Sequence, residues 1–227
     1  MEVIVTREQL VYMKNMVKSF GQVRALQGAS IEIRPGITTA IVGDNGSGKS
    51  TLVKILSGNL KPDSGTISIG GQSHASLTIP QSLALGIRTV YQDLSLDNQK
   101  NSAENIFLGA ELMRGPFLRK KAMLAQTRAL LAAIQVRIDD LALPAGRLSG
   151  GQRQGLAIAR ALRAHGRLLA LDEPMSAMGI QESHRTARIL KGLKEQGLTQ
   201  LIVSHNLFQV FDLADRIFVM RAGACIA

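Results

Sequence analysis

Apolar and polar positions along the chain follow two periods, one typical of strands and one typical of helices. Residues 37–42 form a β-branched run, and residues 168–171 and 200–203 are short apolar runs of the buried-strand type. Residues 50–56 and 180–196 instead space their apolar side chains as a helix does. Strands that alternate with helices predict an α/β fold, built on a mostly parallel sheet that is covered on both faces.

The first part of the chain carries a different strand pattern. Residues 11–13 and 30–33 read as short strands, and the turn Arg34-Pro35-Gly36 closes the second of them. We expect these strands to form an antiparallel β flank beside the main sheet.

Strand signals stop between about residues 95 and 163. The periodicity there predicts helices over residues 102–108, 119–134 and 151–163. We interpret this stretch as a helical subdomain inserted into a single domain that spans residues 1–227. The core of that domain would comprise about residues 1–94 and 164–227.

Composition narrows the class of protein. A length of 227 residues suits one domain, and the single cysteine, Cys225, cannot form an internal disulfide, which favours a reducing cytoplasm. The first residues, which include Glu2, Arg7 and Glu8, offer no signal-peptide core, and no apolar stretch is long enough to cross a bilayer. The formal charge of +10 favours anionic partners. The basic residues are nevertheless dispersed, and two Tyr without a Trp argue against direct binding of nucleic acid.

A glycine-rich loop, residues 43–50, joins the β-branched run to the following helix and is called the phosphate loop below. Residues 43–50 match G-x-x-x-x-G-K-[ST], a pattern in which backbone N–H groups point at phosphate oxygens. Lys49 would place its charge on the β and γ phosphates, and Ser50 would offer a hydroxyl to Mg²⁺. The residues predicted to contact the nucleotide here are Gly43, Asp44, Asn45, Gly46, Ser47, Gly48, Lys49, Ser50 and Thr51.

Two adjacent acids end the apolar run at residues 168–171. Asp172 and Glu173 would be costly to bury unless a cation or a proton transfer occupied them. Beside a phosphate loop, Asp172 is expected to hold Mg²⁺ and Glu173 to accept a proton from the attacking water. The alternative is an ordinary solvated strand end.

The run Leu148-Ser149-Gly150-Gly151-Gln152 resembles the signature of the ATP-binding cassette family, and the likeness extends over essentially the whole chain. It implies that two cassettes pack head to tail, as an expected homodimer. Each ATP would lie between the phosphate loop of one chain and the signature residues Ser149, Gly150, Gly151 and Gln152 of the other. Such a helix start suits an anion such as the γ-phosphate.

The same resemblance implies roles for three further residues. Phe20 is similar to the aromatic that stacks on adenine, although a core Phe is the alternative. Gln92 resembles the glutamine that reaches Mg²⁺ and water, although a lone Gln is usually a surface residue. His205 resembles the histidine that orients the attacking water, where a structural His is the alternative. The expected catalytic set is then Glu173, His205, Gln92 and Lys49, and the expected metal set is Ser50, Gln92 and Asp172.

One departure from the family pattern is informative. The family commonly has an Asp where this chain has Gly179, and a glycine there is similar to cassettes of simple-sugar importers. The resemblance therefore implies an ATP-hydrolysing subunit that powers import of a small solute, with a monosaccharide as the expected class. It would lie peripherally on the cytoplasmic face of the inner membrane, with permease subunits as partners and a solute-binding protein as an indirect partner. The alternatives are a soluble cassette that acts on nucleic acid or ribosomes, and a regulatory sensor that binds ATP without hydrolysing it.

Overall fold

The computed structural model describes residues 10–176 and 178–227, so Glu2, Arg7, Glu8 and Ala177 lie outside the described residues. The strands are β1 Val11–Phe20, β2 Val23–Ile33, β3 Thr38–Val42, β4 Ser64–Ile69, β5 Gln72–His74, β6 Ile87–Val90, β7 Met113–Arg114, β8 Phe117–Leu118, β9 Leu168–Asp172, β10 Thr199–Ser204, β11 Arg216–Arg221 and β12 Ala224–Cys225. The helices are α1 Lys49–Leu56, α2 Ile79–Ala84, α3 Ser102–Phe107, α4 Lys120–Ala133, α5 Gly150–Leu162, α6 Ile180–Glu195 and α7 Leu207–Phe211, with a short 3-10 turn over Ala145–Arg147.

The larger sheet confirms the predicted α/β fold. Its strand order is β12-β11-β3-β10-β9-β6, and every neighbouring pair except β11 with β12 is parallel. Every residue of β3, β9 and β10 is buried, which explains why these strands read as continuous apolar runs. The carboxyl ends of the three strands therefore open at one edge of the sheet.

A smaller antiparallel sheet forms the expected flank, in the order β2-β1-β4-β5. Its inner face packs on α1, which buries Leu52 and Ile55 in the same cluster as Ile31 and Ile67. Strands β1 and β2 are much longer than the short segments predicted. Irregular register near Asn15, a residue with φ of 51°, breaks the alternation on which that prediction relied.

Helices α3, α4 and α5 lie between β6 and β9 along the chain, in the stretch predicted to be helical. The structure adds a small hairpin there, β7 paired with β8, which the sequence analysis missed. Its strands have two residues each and all four side chains are exposed, so neither strand shows a buried face. The boundaries of the helical subdomain, near residues 95 and 163, remain a prediction.

Among the described helices, none combines the length and the apolar character that a membrane crossing requires.

Two phenylalanines from the same part of the chain test where the core lies. Phe107 at the end of α3 is fully buried, whereas Phe117 in β8 is 75% exposed. We expect Phe107→Ala to lower the free energy of unfolding by about 3–5 kcal/mol, because it removes a large buried side chain and leaves a cavity. The matched change Phe117→Ala should alter it by less than about 0.5 kcal/mol. Urea unfolding followed by circular dichroism measures both, and equal losses would contradict this packing.

Candidate functional site

The parallel register brings the predicted chemical groups to one edge of the sheet. In the pairing of β10 with its neighbours, Ser204 lies beside Val42 of β3, and Val203 lies beside Asp172 of β9. The phosphate loop follows β3, Glu173 follows β9 and His205 follows β10, so all three meet there. They border a cleft of about 530 Å³, lined by Phe20, Val23, Ala25, Asn45, Gly46, Gly48, Lys49, Ser50, Thr51, Gln92, Glu173 and His205.

The path of the phosphate loop depends on glycine at its two ends. Gly43 has φ of 153°, and a Cβ there would lie 2.1 Å from the carbonyl oxygen of Met220. Gly48 has φ of 102°, and a Cβ there would lie 2.4 Å from the carbonyl oxygen of Ala25. No other residue fits these positions without moving the neighbouring backbone. The loop is thereby held directly at the start of α1, where a helix favours an anion.

Lys49 is buried at the start of α1, with its ammonium directed at the loop itself. Its Nζ donates hydrogen bonds to the carbonyl oxygens of Gly43 at 2.7 Å and Asp44 at 2.9 Å. Burial lowers the pKa of Lys49, while the nearby carboxylates of Glu173, Asp172 and Asp44 oppose that shift. A fixed ammonium among backbone N–H groups is suited to binding phosphate oxygens.

Ser50 and Asp172 form the next pair of groups. The Ser50 hydroxyl donates to Asp172 Oδ1 at 3.0 Å. Burial raises the pKa of Asp172, and the hydrogen bond from Ser50 partly offsets that rise. A hydroxyl and a carboxylate are hard oxygen donors of the kind that Mg²⁺ prefers, and a cation would relieve the cost of burying this carboxylate.

The donor set fits Mg²⁺ better than a metal that needs a cage of protein ligands. Within residues 10–176 and 178–227, no cluster of three or more His, Cys, Asp or Glu side chains could hold a metal ion. Mg²⁺ is usually bound by one or two protein oxygens, with phosphates and water completing its coordination. Ser50 and Asp172 present two oxygens of this kind, 3.0 Å apart.

Glu173 and His205 form a hydrogen-bonded pair at the cleft. His205 Nδ1 lies 2.9 Å from Glu173 Oε2, and the side chains are 49% and 9% exposed respectively. Glu173 has φ of 54°, in the left-handed region that non-glycine residues rarely adopt. Its N–H donates to the carbonyl of Val203, and its own carbonyl accepts from the N–H and the hydroxyl of Ser176. These bonds fix a strained backbone, which is a common feature of functional sites.

Phe20 and Gln92 both reach the cleft. Phe20 ends β1 with half of its surface exposed, so it forms a wall of the cleft and is not a core residue. Gln92 follows β6 and also lines a second cavity of about 290 Å³, which it shares with Gly150 and Glu173. Gln92 thus lies between the cleft and the head of α5.

The signature residues cap α5 and lie outside the cleft that the phosphate loop lines. Ser149 Oγ accepts from the N–H of Gln152 at 3.3 Å, and Gln152 Oε1 accepts from the N–H of Ser149 at 3.0 Å. Ser149, Gly151 and Gln152 line a cavity of about 740 Å³ that contains no residue of the phosphate loop. The structure therefore brings Lys49, Ser50, Gln92, Asp172, Glu173 and His205 together, and it keeps the signature apart from the phosphate loop.

Sequence reasoning missed one residue of the signature region, Glu182. Its Oε1 accepts a hydrogen bond from the N–H of Gly151 at 3.1 Å. The available signal was an acid in the first turn of a predicted helix, which ordinarily indicates only a favourable helix start. No pattern in the sequence around Glu182 indicated that its carboxylate contacts the start of α5.

Comparison with known proteins identifies the family to which the chain belongs. Residues 26–176 match the family model described as ABC transporter. The chain belongs to that family. Cassettes of this family bind and hydrolyse ATP, so the chain is an ATPase and ATP is its substrate.

The sequence of the chain is similar to those of two curated import proteins. It is 41% identical over 217 residues to the xylose/arabinose import ATP-binding protein XylG of Sulfolobus acidocaldarius, covering 96% of this chain and 86% of that protein. It is 38% identical over 216 residues to the ribose import ATP-binding protein RbsA of Yersinia pestis, but it spans only 42% of that protein's length while 94% of this chain is covered.

A nucleotide-free ATP-binding cassette from an ABC transporter superposes with a TM-score of 0.86 at 28% identity, covering 96% of this chain and 90% of that chain. A dimeric cassette in a post-hydrolysis state, bound to ADP and Pi, superposes with a TM-score of 0.81 at 26% identity, covering 96% and 97%. The fold of the cassette is therefore that of ABC ATPases.

Substitution of Lys49 tests whether the cleft binds the phosphates. We expect Lys49→Ala to weaken ATP binding at least about 30-fold, because a buried charge facing the phosphates is lost. Lys61→Ala, an exposed lysine outside the cleft, serves as the matched control. Titration calorimetry with ATP measures both, and similar affinities for the two variants would contradict the assignment.

Proposed function

We propose that this cassette is the ATP-hydrolysing subunit of a sugar importer and that it works as a dimer beneath a permease. The observation that supports it most is the convergence of three groups at one edge of the sheet. These are the Lys49 ammonium, the Ser50–Asp172 pair and the Glu173–His205 pair. Each group suits one requirement of phosphoryl transfer to water.

Binding of the nucleotide is assigned to the phosphate loop and to Phe20. The loop N–H groups and the Lys49 ammonium would hold the phosphates, and the exposed ring of Phe20 would stack on the adenine. Ser50 and Asp172 would hold Mg²⁺, with Gln92 nearby. When bound, Mg²⁺ neutralises charge on the phosphate oxygens. Asn45, Gly46 and Thr51 complete the wall of the cleft.

Proton transfer is assigned to Glu173. Its carboxylate is nearly buried and points at the cleft, where it can accept a proton from a water molecule that attacks the γ-phosphate. His205 holds the same carboxylate at 2.9 Å and is itself half exposed, so it can orient that water. Because both backbones are fixed at strand ends, the pair needs little reorganisation during the reaction.

The signature is assigned to the ATP of a second copy of the chain. In support, the signature residues and the phosphate loop line separate cavities, and the head of α5 is exposed. The related cassette with ADP and Pi is itself dimeric. Two copies packed head to tail would then complete two sites, and each copy alone would be nearly inactive.

The transport role rests on the relatives. XylG and RbsA are import ATP-binding proteins for xylose or arabinose and for ribose. We extend that role to this chain and assign it a monosaccharide cargo, permease subunits, an indirect solute-binding partner and a peripheral position on the cytoplasmic face of the membrane. The helical subdomain at about residues 95–163 would carry the signature towards the second copy. Because these relatives are import proteins, we do not adopt a role on nucleic acid or ribosomes.

Glu173→Gln separates binding from hydrolysis. The variant should bind ATP and accumulate a dimer, while turnover falls about 10²- to 10⁴-fold because the general base is lost. Phosphate release and light scattering with ATP and Mg²⁺ measure the two properties. Glu195→Gln, the same chemical change at the far end of α6, is the control. Unaltered turnover in Glu173→Gln would rule out this role for Glu173.

Coupling to transport is tested by expressing this chain together with a candidate sugar permease. Cells that express both proteins should accumulate a labelled monosaccharide, and Lys49→Ala should abolish uptake because closing of the dimer needs bound ATP. Uptake is measured for xylose, arabinose and ribose. Recovery of the cassette with RNA in place of the permease would contradict the transport role.

A further inference from the structure

The head of the signature helix already holds an anionic group of the chain itself. Glu182 Oε1 accepts from the N–H of Gly151 at 3.1 Å. Its other oxygen, Oε2, lies 3.3 Å from the position that a Cβ on Gly150 would take. The carboxylate is therefore pressed against the two glycines that open α5.

Glu182 belongs to α6, so this contact joins the starts of two helices. It is the third residue of α6, and Gly179, which has no side chain, occupies the N-cap position just before that helix. Hydrogen bonds from Gly151, then from the Ser149 side chain and the Gly179 backbone, lower the pKa of Glu182. The group is thus a carboxylate near neutral pH, held by the same donors that the signature offers.

We propose that Glu182 competes with the ATP of the second copy for the head of the signature helix, so that closing of the dimer requires its carboxylate to move away. This inference rests on the proposed function, which places a γ-phosphate on Ser149 and Gly151. Two anions cannot share one pair of N–H and hydroxyl donors without strong repulsion. Glu182 is in this sense a positioning residue that sets how much ATP is needed for closure.

The structure also provides a way for the carboxylate to leave at low cost. Glu182 is only partly buried, and Arg185, one turn further along α6, already acts on it electrostatically. Residues three apart on a helix face each other, so Arg185 can pair with the carboxylate once it swings from α5. The competition is therefore reversible and does not require α6 to unfold.

The decisive experiment measures dimer formation against ATP concentration in the Glu173→Gln background, where hydrolysis does not deplete the dimer. Adding Glu182→Gln keeps an oxygen acceptor but removes the charge. We expect the ATP midpoint for dimer formation to fall roughly two- to fivefold, the effect of one charge at a helix start. Glu182→Ala should lower it at least as far, and Glu182→Asp should largely restore the original midpoint. Glu195→Gln is the matched control and should leave it unchanged.

A second readout distinguishes competition from a purely structural role. In the chain with Glu173 intact, Glu182→Gln should lower the KM for ATP by a similar factor and keep kcat within about twofold. Loss of a merely structural contact would instead reduce the unfolding temperature and raise the ATP midpoint. An unchanged or raised midpoint would overturn the role of Glu182. Failure of the Glu173→Gln parent to dimerise at any ATP concentration would overturn the proposed function, and the competition with it.

Discussion

The candidate site depends on the parallel register of three central strands. Val42 pairs with Ser204, and Asp172 pairs with Val203, so the three strands end within one residue of the same level and the residues after them line the cleft. Side chains of a strand alternate between its two faces, so a slip of one residue in β9 would turn Asp172 away from Ser50. Close packing on both faces opposes such a slip, because Leu169 and Leu171 belong to one core cluster while Leu168 and Ala170 belong to the other, and a slip would exchange them.

The same burial sets the electrostatic character of the site. Lys49 lines the cleft and Asp172 lies behind it, hydrogen-bonded to Ser50, and at both positions desolvation disfavours the charged form. Such groups interact strongly with any opposite charge, because little water screens them. A triphosphate with its cation therefore fits the cleft electrostatically. It offers negative oxygens to the ammonium of Lys49 and a positive ion to the carboxylate of Asp172.

The sequence predicts what depends on local period and local chemistry. The strands β3, β9 and β10, the helix α1 and the phosphate loop all follow from runs of neighbouring residues, and the structure confirms the α/β fold that these runs indicated. The full length of β1 could not be predicted, because irregular pairing near Asn15 interrupts its alternation. The β7–β8 hairpin also escaped notice because its four residues are exposed and show no buried face.

The residues of the candidate site also differ in whether a local pattern predicts them. Local sequence patterns were sufficient to predict four site residues, Lys49, Ser50, Asp172 and Glu173, because few other functions require these residue types at these spacings. The positions of Phe20, Gln92 and His205 followed only from likeness to a family. Glu182 lies 31 residues from Gly151, whose N–H donates to it, and no short pattern connects two helix starts that far apart. Contacts of this kind arise only when the whole fold is assembled.

Hydrogen-bond donors of the phosphate loop and of the head of α5 already have acceptors within the chain. Lys49 donates to the carbonyls of its own loop, and the head of α5 donates to Glu182. A ligand must therefore replace existing hydrogen bonds, so only the difference between old and new bonds contributes to its binding. For Lys49 that difference is large, since a phosphate carries more charge than a carbonyl. Under the proposed function, the γ-phosphate of the second copy's ATP would replace the Glu182 carboxylate at α5, so the gain would be small unless the second copy supplied further contacts. In that case ATP binding at α5 would need contacts from both copies, whereas ATP binding to the phosphate loop would need only one.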